Sequence, residues 1–185
     1  KPLHPDVDLP PELFEAAAGH VGERVPPRPI AATLHPMRLA QGYERLRDLS
    51  DVALAEKGRR PQVLVVGLGP LARHSAELSW VQNALAAGGI ETVVAPIEVD
   101  EAAITAAMAE AKTKIACVCG INRKEPEEAA PVVKALHEHG AVAVYAAGRP
   151  DPALKEIGID GFVYTGVNLL GLLEDVQSLL MGDAA

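Results

Sequence analysis

Gly67-Leu68-Gly69-Pro70-Leu71-Ala72-Arg73-His74 is the stretch whose residue types and spacing come nearest to chemistry. Gly67, Gly69 and Ala72 imitate the G-x-G-x-x-A fingerprint that lets backbone approach a dinucleotide pyrophosphate. The chemistry does not follow through. Pro70 lacks the backbone N–H that a phosphate would use, and the helix is expected to open only near Ser75, too late for its N-terminus to hold an anion. The second apolar run ends Val94-Ala95-Pro96, where a ribose-binding acid would stand. The loop has no acid for Mg²⁺ and no Ser/Thr cluster for a flavin phosphate, so response-regulator and flavodoxin chemistry fare worse.

Other candidates are weaker. Cys117 and Cys119 lie two apart in an apolar run, so both face one side of a strand and read as core thiols rather than a metal pair. His137 and His139 cannot share a helix face and suit a last helical turn. His74 is expected to face solvent at a helix start. Arg123 and Lys124 fit ordinary solvated surface, and Trp80 fits core or a subunit interface. No catalytic residue and no metal site are expected.

The elements that must position these residues are short apolar runs alternating with helical stretches. The expected strands are 63–66, 92–95, 115–119, 142–146 and 162–164. The expected helices are 75–87, 101–111, 126–139, 152–157 and 169–180. Nearly unbroken apolar strands belong to a sheet covered on both faces. Five such units predict a flavodoxin-like, doubly wound α/β domain over residues 60–185, a parallel sheet ordered 2-1-3-4-5. Ligands of such sheets sit beyond the carboxyl ends of the strands. Residues 1–59 differ: eight prolines between Pro2 and Pro36 mark an extended arm. It carries a short helix near 11–18 and a longer linker helix near 36–57, where Leu39, Tyr43, Leu46, Leu49 and Leu54 recur at helical spacing.

Composition sets the outer limits. Hydrophobic residues make up 49% of the 185 and aromatics only 3%, so the core must be Val, Ile, Leu and Ala. A net charge of −8 argues against nucleic acid or an anionic membrane surface as partner. No apolar run is long enough to span a bilayer. Two cysteines are too few for a disulfide framework, which fits a reducing, cytoplasmic setting.

Arg60-Pro61-Gln62-Val63-Leu64-Val65-Val66, then Gly69, then Ala86-Ala87-Gly88-Gly89-Ile90, resembles the cobalamin-binding domain of methylmalonyl-CoA mutases. Gly161-Phe162-Val163-Tyr164-Thr165-Gly166-Val167-Asn168 resembles that family's last strand and the Gly-rich loop after it. The resemblance covers about residues 36 to 181. The family's D-x-H-x-x-G signature supplies the lower cobalt ligand. Aligned on Gly69, its Asp falls on Leu71, its His on Arg73 and its Gly on Ala76. Guanidinium has no free lone pair for cobalt, and Leu71 cannot orient a ring. The family's S-x-L after the third strand becomes Cys119-Gly120-Ile121, and its paired glycines after the fourth become Ala146-Ala147. Leu71, Ala146 and Ala147 are therefore expected to close the groove that takes the cofactor's tail, beyond the first, third and fourth strands.

A kept fold with an erased site resembles the small subunit of the heterodimeric mutases. The resemblance implies a non-catalytic partner of a large subunit. That subunit holds adenosylcobalamin and interconverts succinyl-CoA and methylmalonyl-CoA by radical rearrangement. It implies no cofactor bound by this chain. Complete small subunits also carry an N-terminal (β/α)₈ barrel, so the chain is expected to be a piece of a longer one, its arm the linker from that barrel. Two alternatives stand beside this: a cobalamin carrier or weak binder that uses His74 or keeps the cofactor's own base on, and a nucleotide- or flavin-binding signalling domain.

Overall fold

A computed structural model describes residues 38, 40–95 and 101–182. The Pro-rich arm, its short helix at 11–18, the first residues of the linker helix and Pro96 lie outside these. The order is α1 (Gln41–Lys57), β1 (Gln62–Gly67), α2 (Leu71–Ala87), β2 (Glu91–Val94), α3 (Glu101–Ala111) and β3 (Ile115–Cys119). A 3₁₀ turn (Pro126–Ala129) then leads into α4 (Ala130–Glu138), followed by β4 (Ala143–Ala147), α5 (Pro152–Glu156), β5 (Gly161–Val163) and α6 (Leu169–Met181). The five strands form one parallel sheet ordered β2-β1-β3-β4-β5, as the apolar rhythm predicts.

Alternation along the strands divides the core. Val63 and Val65 of β1 meet α1, α2 and α6, through Leu46, Val81, Leu85, Leu173 and Val176. Leu64 and Val66 point the other way, to Ile104 and Met108 of α3, Val133 and Leu136 of α4 and Leu154 of α5. β3 is buried at every position, because a central parallel strand has helices on both faces. Glu91 and Val94 are exposed on β2, at one sheet edge.

Two expectations about elements change. The linker helix, grouped with the arm by its proline-rich neighbourhood, is built into the domain, and the compact unit begins at Arg38 rather than Arg60. Leu46, Ser50 and Ala53 form its buried stripe. Ser50 Oγ donates to the Gly89 carbonyl and accepts from Arg60 Nη1 at 3.1 Å, and Gln177 Nε2 of α6 donates to the Leu46 carbonyl at 2.9 Å. Burying one leucine is worth about 1.5–3 kcal/mol, enough to hold such a helix down. The second change is that α2 opens at Leu71, one turn before Ser75. Pro70, at φ −65°, is preset for a helix entrance, and Arg73 N–H donates to the Pro70 carbonyl at 2.8 Å. The late helix start is thus no argument against phosphate; the missing N–H of Pro70 remains one.

Candidate functional site

The loops after β1, β3, β4 and β5 gather at the carboxyl end of the sheet, where this architecture binds ligands. Gly69 sits at φ +68°, and the Arg73 guanidinium folds back over it so closely that a Cβ there would collide with Arg73. Arg73 Nη1 pairs with Glu128 Oε2 at 3.3 Å, across to the 3₁₀ turn that follows β3. Both partners are partly exposed, so the pair adds little stability. What it does is fix where the cation lies.

His74 is not at the surface, as its place near a helix start suggested. It is 8% exposed, and its Nδ1 lies 3.2 Å from the Leu68 carbonyl. Because α2 begins at Leu71, position 74 falls on the first turn's inner face. Gly67 and Gly120 make room: a Cβ on Gly67 would strike the imidazole, and one on Gly120 would strike the His74 Cβ and the Leu68 carbonyl oxygen. His74 is a wedge between two loops.

Glu77, one turn further on, accepts from the Gly120 N–H at 2.7 Å. A backbone N–H donating to a carboxylate makes a charge-assisted hydrogen bond, stronger than one between neutral groups. Beneath it, Cys117 and Cys119 lie buried on the same sheet face, as their spacing predicts. The Cys119 hydrogen bond and then burial push the Cys117 thiol well above its ordinary range, with Cys119 and Glu77 adding charge repulsion. A thiol so held keeps its proton at neutral pH and is a poor nucleophile. Among the described residues no cluster of His, Cys, Asp and Glu suits a metal ion.

The remaining marked positions scatter. Leu71 is 63% exposed and points to solvent. Ala146 packs with Leu64 and Val118 on the opposite sheet face, whereas Ala147 faces α2. Cys119 is buried, Ile121 packs against the α3–α4 side, and Gly166, at φ +99°, is exposed with open space about its Cα. Ala76, Glu77 and Trp80 of α2 line a cavity of about 410 Å³ with Ala147, Arg149 and Tyr164. The expected closure of the groove is therefore corrected in part. Arg73 and His74 fill the end at Gly69, while the end at β4 and β5 is open, because Leu71 and Ala146 point elsewhere.

Arg123 reaches over that rim: its Nη2 donates to the Arg149 carbonyl at 2.9 Å and its Nη1 lies 3.8 Å from Asp151 Oδ2. It ties two loops together rather than sitting free in solvent. His137, in the last turn of α4, places Nδ1 3.1 Å from the Ala141 carbonyl and Nε2 2.9 Å from the Gly158 carbonyl. It is a structural clasp.

No family model matches the chain. Sequence comparison finds 36% identity over 137 residues with the methylmalonyl-CoA mutase small subunit of Streptomyces virginiae, covering 74% of this chain and 22% of the relative. The probable methylmalonyl-CoA mutase small subunit of Mycobacterium tuberculosis H37Rv is 38% identical over 146 residues, covering 77% and 23%. The chain is a homologue of methylmalonyl-CoA mutase small subunits. It spans less than a quarter of the length of the curated relatives it matches.

Solved structures agree on the architecture of this mutase-subunit homologue and speak to fold alone. A novel cobalamin-binding protein from Desulfitobacterium hafniense DCB-2 superposes with a TM-score of 0.50 at 18% identity, over 74% of this chain and 70% of its own. A CheY-like protein, TadZ, from Pseudomonas aeruginosa PAO1 also gives 0.50, at 20% identity, over 62% and 92%. Glu77, Glu128 and Arg149 carry the geometry of the homologue's site without having been marked in the sequence. Glu77 and Gly120 are 43 positions apart, and nothing in their local types announces the contact.

Proposed function

We propose that this chain is a partner domain of a heterodimeric methylmalonyl-CoA mutase: part of the small subunit, supporting a large subunit that does the radical chemistry, with no cobalt ligation of its own. The observation that supports this is the arrangement of Arg73 and His74 in the loop after β1. Arg73 stands where the family's histidine would, committed to Gly69 and Glu128, and the adjacent imidazole of His74 is turned inward onto the Leu68 carbonyl. Cobalt needs a lone pair aimed outward from this loop, and these residues do not fit that requirement. The reading places no catalytic step on the chain. Among the described residues no helix is long and apolar enough to cross a membrane.

Co-expression with a large mutase subunit tests the pairing. The two should co-elute on gel filtration, with adenosylcobalamin absorbance of one cofactor per pair. Failure to co-elute, or two cofactors per pair, contradicts the proposal.

One observation favours a second reading, a base-on cobalamin carrier: the open cavity along Ala76, Trp80 and Ala147 leaves space for an organic group even without a cobalt ligand. It predicts the second cofactor in the same measurement.

A further inference from the structure

At the amino end of the sheet, opposite the loops described above, cations gather. Lys57 closes α1, Arg59 and Arg60 lead into β1, and Lys112 follows α3. Thr113 holds the two segments side by side: its Oγ1 donates to the Gln62 carbonyl at 2.5 Å and accepts from the Ile115 N–H at 3.1 Å. Lys57, Arg59, Arg60 and Lys112 line one small crevice there, of about 70 Å³. Arg60 is engaged by Asp51 and Glu91. Among the described residues Lys57, Arg59 and Lys112 have no acidic partner. In a chain of net charge −8, unpaired cations around one crevice make a local positive field.

Lys57 and Lys112 stand at helix C-termini, where a cation is favourable in any case. That accounts neither for Arg59, which lies outside a helix, nor for the backbone of Lys112. Among the described residues Lys112 is the one non-glycine at positive φ, +45°. Glycine takes that conformation freely at the end of a helix, and a Cβ makes it costly. A side chain kept against its own backbone preference points to a use for that side chain. We infer that the crevice binds a phosphate group. Its size suits one compact oxyanion and excludes the rings of a nucleotide, and guanidinium and ammonium are the donors that phosphate takes. The C-termini of α1, α3 and α6 each bring about half a negative charge to this end, which three unpaired cations exceed. The group is the free ion or the end of a small phosphomonoester whose remainder lies outside. The inference goes beyond the function proposed above and needs neither the large subunit nor cobalamin.

The test titrates the chain with inorganic phosphate at constant ionic strength and follows backbone amide shifts by NMR. Saturable shifts are expected over 57–60 and 112–114, with a dissociation constant of about a millimolar or tighter. Lys112→Gly removes a cation and relaxes the backbone, so its urea midpoint should equal or exceed that of wild type. Its phosphate binding should nevertheless weaken by about fivefold or more. Arg59→Gln, exposed and outside any helix, should keep the fold and weaken binding to a similar degree. Phenyl phosphate in a parallel titration separates the two sources: the same shifts assign the site to an ester, and phosphate binding without them assigns it to the free ion. No saturable shift, shifts spread equally over remote cations such as Lys134 and Lys155, or Lys112→Gly and Arg59→Gln binding phosphate as wild type does overturns the inference.

Discussion

Arg73 and His74 show how one turn of helix decides the fate of a side chain. With α2 opening at Leu71, Arg73 lies over Gly69 and His74 lies under the loop. Sequence alignment could say which residue type replaced which, but not where its atoms go. His74 depends on the missing side chains of Gly67 and Gly120, the second in a loop 46 positions away. Glu77 is the anchor of that arrangement. Removing a charged acceptor from a part-buried N–H costs about 1.5–3 kcal/mol, so Glu77→Ala should lower the urea midpoint accordingly; an unchanged midpoint would mean that the Gly120 bond is not formed in solution. The thiols belong to the same scale. Native protein should resist a thiol-specific disulfide reagent, and both cysteines should react once urea unfolds the chain. Fast labelling of the native state would contradict the burial. The fold holds the Cys117 proton more tightly than the unfolded chain does, and that of Tyr145 too, raised by burial and then by Asp175 and Asp160. Their contribution to stability is intact below the ordinary thiol range of about 8.5 and declines as pH rises beyond it. Urea midpoints should therefore fall on the alkaline side, and midpoints that climb there would reverse the sign of this account.

At the scale of elements, the strands were the most legible part. A buried parallel strand must be apolar at every position, and Ile115–Cys119 is recognisable from that alone. Helix 101–111 likewise has the predicted bounds. Less legible were the entrances. The helix after Pro70 was expected only near Ser75, yet Pro70 lacks an N–H that is surplus at a helix start, and α2 opens at Leu71. The place of α1 was illegible for a different reason. Its periodicity announced a helix, but whether a helix docks depends on what the far end of the chain offers, here Gln177 and the α6 face, 131 positions on from Leu46. A docked α1 has a direct consequence. Leu46→Ala should destabilise the domain by about 2–4 kcal/mol, the range for emptying a buried leucine site, whereas Leu49→Ala, 39% exposed, should cost under about 1 kcal/mol. Equal small effects in equilibrium unfolding would return α1 to the status of a linker.

For the whole molecule, the doubly wound sheet is the established feature, and the proposed loss of a cobalt ligand rests on the loop after β1. Fold and function separate here: the same architecture appears in a CheY-like protein and in a cobalamin-binding protein. What distinguishes this chain is local, a guanidinium over Gly69, an imidazole turned inward and a half-open cavity at β4 and β5. Two physical penalties oppose cobalamin. No lone pair is presented to the metal, and Arg73 must either be desolvated against the ring or leave Glu128. A penalty of about 4 kcal/mol, most of it from the missing ligand bond and the desolvation of Arg73, would weaken binding roughly a thousandfold. Leu71→Asp, Arg73→His and Ala76→Gly together rebuild the ligand motif in sequence and, with α2 starting at Leu71, place its imidazole at the loop surface. If this variant still fails to bind, Ala147 and the α2 wall at Trp80 are the next residues to change, and Ala146, on the far face, is not. The most direct measurement is titration of the unmodified chain with adenosylcobalamin, followed by its visible spectrum. The account predicts no saturable change at micromolar cofactor; one-to-one binding with a dissociation constant of about one micromolar or below (about −8 kcal/mol) would contradict it.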